Sequence, residues 1–169
     1  MKVRLTRTER SILGLCEVFY HMQYVKLKHN AVHWMFYLLS RKGMPFGRYH
    51  YVEVANCPYS AELEADLKAL DEKQDDIMDF YDAELTVHAV PATYLATAEC
   101  VREVLEFDYV SNVLDWVETL ASLSFMAEHD FGSKNKVVLC NRYIMMMPKV
   151  EYTTVKNAWR VLENAKMTF

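Results

Sequence analysis

The sequence predicts a mainly α-helical domain with a small antiparallel β element. Apolar residues recur at the three- and four-residue spacing of amphipathic helices along most of the chain. Its 169 residues are 52% hydrophobic, with only four glycines and four prolines, a composition typical of a packed core rather than a disordered segment. No apolar run approaches the roughly 18 residues that cross a bilayer, and the first fifteen residues are rich in Lys and Arg. We therefore expect one domain over 1–169, with no signal peptide and no membrane contact.

Two amphipathic helices are predicted in the first fifty residues. Residues 8–22 carry apolar side chains at helical spacing, with Thr6 or Thr8 as the candidate N-cap. Residues 26–42 carry a broader apolar stripe that stops at Gly43, the residue type that ends helices most easily.

A short β element and a third helix follow. Aromatic and β-branched residues at 49–54 predict a strand, closed at Pro58 because proline interrupts strand pairing. Ser60 then predicts the N-cap of a helix with leucines on one face. Residues 77–90 alternate loosely and have the composition of a hairpin, so two or three strands are expected in all.

The rest of the chain is predicted to be helical. Pro91 is well placed to open one helix, and residues 110–129 form a longer one that Gly132 ends.

Two short helices are expected at the C-terminal end. One covers 133–146 with Ser133 as its N-cap, and Pro148 separates it from a last helix that starts at Thr153 or Thr154. This length and spacing is that of a helix-turn-helix-like pair, although plain helical bundles have it too.

Charge divides the chain into three blocks. Residues 1–50 hold nine Lys and Arg against two acidic residues, 51–130 hold three against nineteen, and 131–169 hold seven against two. The net charge of −4 argues against an unconditional nucleic-acid binder, but the surface should carry both signs. Within one domain we therefore distinguish an N-terminal helix with a basic arm (1–24), a core (25–130) and a C-terminal helix pair (131–169).

The four cysteines lie about forty residues apart and form no CxxC pair. They are expected to be buried or incidental thiols in a cytoplasmic protein, since the sequence gives no secretory context. Neither a phosphate-binding glycine loop nor a nucleophile elbow is present, and four glycines leave little material for a phosphate cradle. We expect no catalysis and no cofactor.

Three further patterns have a structural and a functional interpretation. His29 and His33 are four apart, as metal ligands on a helix are, but Asn30 follows where the HExxH motif has its glutamate, and packing beside Trp34 is the interpretation we favour. No metal site is therefore predicted. The acidic run at 71–82 lacks the order of a calcium loop, so a solvated loop or a surface that docks on a basic partner is expected.

The third pattern is the run of three methionines at 145–147. It is typical of core packing, and as an alternative it forms an adaptable apolar patch at a helix end.

Several segments together resemble a known family. They are Val25–Leu27 with Tyr37–Leu39 and Gly43, Pro45–Tyr51, Cys57–Ser60 with Leu63, Asp66, Leu67 and Leu70, and Leu120–Phe125 with Lys149 and Val155–Leu162. In this combination the chain resembles the Panacea antitoxin domain, and more closely its YwgA-type relatives. It departs from the family at Cys57, where the family has glycine, and over 52–56, so a loop that needs a positive φ would be strained at the cysteine.

The resemblance implies a protein-binding regulator. Family members neutralise toxins or act as adaptors for proteolysis, so the expected partner is a toxin or a regulated protein. The hypothesis for the contact surface combines aromatic anchors with charge, as interface hot spots do. Its residues are Arg48, Tyr49, Tyr51, Pro58, Tyr59 and Ser60. The Pro-Tyr-Ser run has a purely structural interpretation as well, as the entry and cap of a helix.

A DNA-binding regulator is the alternative. Six basic residues fall in the C-terminal helix pair, and three more in the N-terminal arm would contact phosphates. These residues are Lys134, Lys136, Arg142, Lys149, Lys156 and Arg160, with Arg4, Arg7 and Arg10. DNA affinity would then fall steeply with salt, whereas an apolar protein interface would barely respond.

Overall fold

The computed structural model describes residues 5–23, 26–44, 49–73, 99, 101–103, 112–129 and 134–168. In chain order these form α1 (Arg7–Gln23), α2 (His29–Arg41), β1 (Val52–Val54), β2 (Cys57–Tyr59), α3 (Ala61–Asp71), α4 (Val113–His129), α5 (Lys136–Met146) and α6 (Tyr152–Asn164). Residues 99 and 101–103 are helical as well. The predicted fold class is confirmed: the protein is mainly α-helical with a small two-stranded antiparallel sheet.

Helix α4 lies at the centre of the fold. It packs against α2, α5, α6 and β2, while α1 packs against α3 and α3 against α2. The buried residues of α4 are apolar or small and occupy almost every side of the helix, as expected for a helix enclosed by neighbours. Among the described residues, no helix is both long and apolar enough to cross a membrane.

The N-terminus of α1 is closed by a capping box. The Thr6 hydroxyl accepts the Glu9 N–H (3.1 Å), and the Glu9 carboxylate accepts the Thr6 N–H (2.7 Å). Glu9 is buried and also binds Nζ of Lys73, just beyond α3, at 2.6 Å. Of the two predicted candidates, Thr6 and Thr8, the structure therefore has Thr6 as the cap. The Glu9 carboxylate also links α1 to the end of α3.

Gly43 ends α2 as predicted. Its φ of +84° lets the Met44 N–H reach back to the Leu39 carbonyl at 3.1 Å, which is the Schellman arrangement. The end of α6 has the same geometry with Lys166 in the left-handed position (φ +57°), and the Met167 N–H bonds the Leu162 carbonyl at 2.8 Å.

The hairpin differs from the prediction. Pro58 does not end strand pairing; it lies within β2, opposite Glu53. Pro58 and Glu53 form a non-hydrogen-bonded pair, with a hydrogen-bonded pair on either side. At a non-hydrogen-bonded pair the backbone N–H groups point away from the partner strand, so a proline there removes no bond of the ladder. The positive φ angles fall at Ala55 (+50°) and Asn56 (+64°), a two-residue turn of the type that matches strand twist. Cys57 is therefore extended, and its position does not require the backbone freedom of a glycine.

Two helix starts also differ from the prediction. The N-cap of α5 is Asn135, whose side chain accepts the Val137 N–H at 2.9 Å; the predicted cap, Ser133, lies outside the described residues. Helix α6 begins at Tyr152, so Thr153 and Thr154 lie in its first turn and neither is its cap. The cause is geometric, because a cap must sit where the chain turns into the helix, and several polar residues precede each of these helices.

The connection between α5 and α6 contains Pro148, as expected. The hairpin predicted over 77–90, the helix start at Pro91 and the stop at Gly132 lie outside the described residues.

Candidate functional site

The tyrosines predicted to bind a partner pack mainly onto the protein itself. The Tyr49 hydroxyl donates to Asp66 at 2.7 Å, and Tyr51 meets the ring of Tyr37 edge-on at 5.3 Å. Tyr59 stacks on a buried imidazole with ring centroids 4.6 Å apart. All three are half-buried, so each offers a partner only part of its ring.

The other members of that set are less accessible still. Pro58 is buried in β2, and Ser60 is fully buried. The Ser60 hydroxyl accepts the Leu63 N–H at 3.3 Å, so it caps α3 as the sequence predicts. Arg48 lies outside the described residues. The structure thus gives the Pro-Tyr-Ser run its structural role, as the joint between the hairpin and α3.

His33 is the centre of that joint. Its Nδ1 accepts the Ser60 backbone N–H at 3.2 Å, so the hydrogen of the neutral ring lies on Nε2, which donates to Glu64 at 3.1 Å. Burial lowers the pKa of His33, and the neighbouring Glu64 only partly offsets this. His33 is therefore held as one neutral tautomer between a backbone donor and a carboxylate.

His29, one turn earlier in α2, faces two carboxylates of α3. Its Nδ1 lies 3.2 Å from Glu64 and its Nε2 lies 2.9 Å from Asp71. Burial raises the pKa of Glu64, but hydrogen bonds from His33 and His29 outweigh it, and the net shift is downward. Within the described ranges no group of three His, Cys, Asp or Glu side chains could hold a metal ion. The two histidines predicted to share a helix face serve here to bind α2 to α3.

Cys57 has the environment of an unreactive thiol. It is buried, with Sγ 3.1 Å from the Ser122 hydroxyl and 3.7 Å from a Glu118 oxygen. Burial raises its pKa to about 12, so the thiolate needed for nucleophilic attack is scarce at neutral pH. Burial also raises the pKa of Glu118. This cluster therefore holds β2 against α4 and lacks an activated nucleophile.

The predicted nucleic-acid residues of the C-terminal pair lie at the surface. Lys134, Lys136, Arg142, Lys149, Lys156 and Arg160 are all exposed. Some of their charge is engaged, since Lys136 lies 3.6 Å from Glu163 and the Lys156 ammonium lies 5.6 Å from the centre of the Tyr152 ring.

The predicted N-terminal arm belongs to another part of the fold. Arg7 and Arg10 are exposed on α1, which packs against α3, whereas α5 and α6 pack on α4 and on each other. Arg4 lies outside the described residues.

The outward surface of α5 is a feature that the sequence reasoning missed. Val137, Val138 and Met145 are 59%, 42% and 83% exposed. Core contacts come instead from Leu139, Cys140 and Tyr143, with the other two methionines of the run half-buried. The exposure of Met145 agrees with the alternative interpretation of the methionine run, an adaptable apolar patch at the helix end. The spacing of 137, 138 and 145 places them on one helix face, but it does not tell whether that face is buried or exposed.

Comparisons of the chain with known protein families, with curated proteins and with solved structures found no match.

Proposed function

We propose that this chain is a non-catalytic regulatory module that binds a protein partner stoichiometrically through the outward face of α5. That surface, called the α5 face below, consists of Val137, Val138, Asn141, Arg142 and Met145. The observation that carries the proposal is the exposure of its three large apolar side chains, up to 83% for Met145. Exposed apolar residues on one face are typical of protein-binding sites, and methionine adapts to irregular partner surfaces.

The resemblance noted in the sequence supports the same class of function. A Panacea-like or YwgA-like chain would act as an antitoxin or an adaptor, so the partner is a toxin or a protein under regulated turnover. Cys16, Cys57 and Cys140 are free thiols, which suits a reducing cytoplasm.

The test is affinity purification of the tagged chain from its native host, at physiological salt and with nuclease, followed by mass spectrometry. The wild type is compared with Val137→Asp/Met145→Asp. Val52→Asp/Val54→Asp on β1 is the matched control, since those valines are 46% and 49% exposed. We expect one stoichiometric protein that the α5 variant loses and the β1 variant keeps. Recovery of the chain alone, or equal loss in both variants, contradicts the proposal.

A DNA-binding regulator is the second candidate, supported by the exposure of all six basic residues around α5 and α6. On this proposal Lys156→Glu/Arg160→Glu on α6 abolishes binding to a DNA duplex, while the α5 variant retains it. Binding should also weaken by roughly tenfold or more between about 50 and 200 mM salt. Measured by fluorescence anisotropy, affinity that is independent of salt, or unchanged in the α6 variant, rules this candidate out.

A further inference from the structure

We infer that the partner segment seated on the α5 face is an acidic amphipathic helix, an inference that rests on the proposed function and specifies its ligand. The α5 face lies in a basic stretch of the chain. Residues 134–149 contain Lys134, Lys136, Arg142 and Lys149 and no acidic residue, and all four are exposed. The whole chain, by contrast, carries a net charge of −4.

Exposed basic residues flank the apolar ones along α5. Lys134 precedes the first turn of α5, Arg142 lies on the face one turn before Met145, and Lys149 follows the helix end. Lys136 points towards α6, where its ammonium lies 3.6 Å from Glu163. An apolar centre with a basic rim is complementary to an apolar partner with an acidic rim.

The helical backbone of α5 favours a helical partner over an extended one. A helix satisfies its own N–H and C=O groups, so an extended peptide cannot add to it as a strand adds to a sheet edge. Recognition must come from side chains alone. Helix α5 has 11 residues and is therefore about 16 Å long, which matches three turns of a partner helix with apolar anchors at i, i+3, i+4 and i+7.

An anionic lipid surface would also match apolar residues with a basic rim. The geometry favours a helix, because α5 is held to α4 and α6 by the buried Leu139 and Tyr143 and cannot roll into a bilayer. Arg142 lies among the exposed apolar residues rather than on an opposite polar side, unlike a membrane-surface helix.

The test uses two fluorescein-labelled helical peptides of about 18 residues, each with leucines at i, i+3, i+4 and i+7. One peptide has glutamates flanking the leucines, and its twin has lysines. Anisotropy is measured with the full chain, with Met145→Asp, with Lys134→Glu/Lys149→Glu, and with Val54→Asp as control. Circular dichroism checks that every variant is folded. Vesicles of phosphatidylserine and phosphatidylcholine form a parallel arm.

We expect the glutamate peptide to bind at least tenfold more tightly than its twin. Met145→Asp and the double charge reversal should each reduce affinity at least fivefold, while Val54→Asp leaves it unchanged. Equal binding of both peptides, no binding of either, or binding to vesicles alone overturns the inference. A different result would contradict the proposed function itself: in the affinity purification, the Val137→Asp/Met145→Asp variant would still recover the host partner. If that partner is lost by the variant yet neither peptide binds, the α5 face is the interface and only the acidic helix is wrong.

Discussion

The imidazole of His33 accepts the backbone N–H of Ser60 at 3.2 Å, so a side chain in the middle of α2 holds the residue that caps α3. The opposite nitrogen of the same ring donates to Glu64 on α3. One buried, neutral histidine thus holds α2 and α3 together. It also holds the end of β2 in place, because that strand ends at Tyr59, the residue before Ser60.

Stability should fall as the pH drops below about 6.5 because of His33. Its pKa is lowered from an ordinary value of 6.5, mainly by burial, so the unfolded chain binds more protons in the window between the two values. The free energy of unfolding therefore rises with pH through that window, and the contribution is complete above pH 6.5. Glu64 and Glu9 have pKa values below their ordinary value of 4.5. Their contribution to stability is therefore lost at lower pH, as the two carboxylates are protonated below pH 4.5.

Urea unfolding between pH 5 and 7 measures this effect, with His33→Asn as the comparison. The asparagine oxygen can still accept the Ser60 N–H but does not titrate. The variant should be less stable at pH 7 and show a flatter pH profile. Identical slopes for both proteins would mean that His33 does not titrate in this window.

Ser60→Ala should destabilise the protein by about 1 kcal/mol, with a range of roughly 0.5–2, through loss of the α3 N-cap. The Leu63 N–H, buried at the start of α3, would lose the hydroxyl acceptor that lies 3.3 Å from it. Thr153→Ala is the control, because that hydroxyl bonds a surface carboxylate of Glu151 and caps nothing. Its cost in urea denaturation should stay within about 0.5 kcal/mol. Equal costs for the two would show that the Ser60 cap contributes no more than a surface hydroxyl.

The features that the sequence predicted correctly are local. Thr6, Gly43 and Ser60 mark helix ends through bonds to backbone groups within five residues, so the residues nearby carry the needed information. Pro58 was placed wrongly, because its tolerance depends on whether Glu53 faces it at a bonded or a non-bonded position of the ladder.

The candidate site was missed for a related reason. Helix α5 has apolar residues on two sides, Val137 and Val138 on one and Leu139 and Tyr143 on the other. Which side becomes buried depends on the packing of α5 against α4 and α6. The spacing of apolar residues along α5 alone therefore cannot predict it.

The Glu9–Lys73 ion pair should show strong coupling in a double-mutant cycle. Glu9 is buried and shared between the Thr6 N–H and Lys73 Nζ, so Lys73→Ala leaves a buried charge without its cation. We expect that change to cost about 2 kcal/mol in the wild type, and less than about 1 kcal/mol in a Glu9→Gln background, where the residue is neutral. Urea denaturation of the four proteins at pH 7 measures the cycle. Equal costs in both backgrounds would show that the pair contributes nothing beyond side-chain packing.

Lys166→Gly should stabilise the protein, an unusual outcome for a change to glycine. Lys166 has a φ of +57°, where a side chain is strained by about 1–2 kcal/mol and glycine is not. Glycine's greater freedom in the unfolded chain offsets part of this gain, so we expect a net increase of about 0.5–1 kcal/mol. The neighbouring Ala165 is the matched control, since its φ is −82° and Ala165→Gly should therefore destabilise by about 0.5–1 kcal/mol. Thermal melts at equal protein concentration compare both variants with the wild type. Opposite shifts in Tm support the Schellman geometry at the end of α6, and a loss of stability in Lys166→Gly would mean that its backbone is not left-handed in solution.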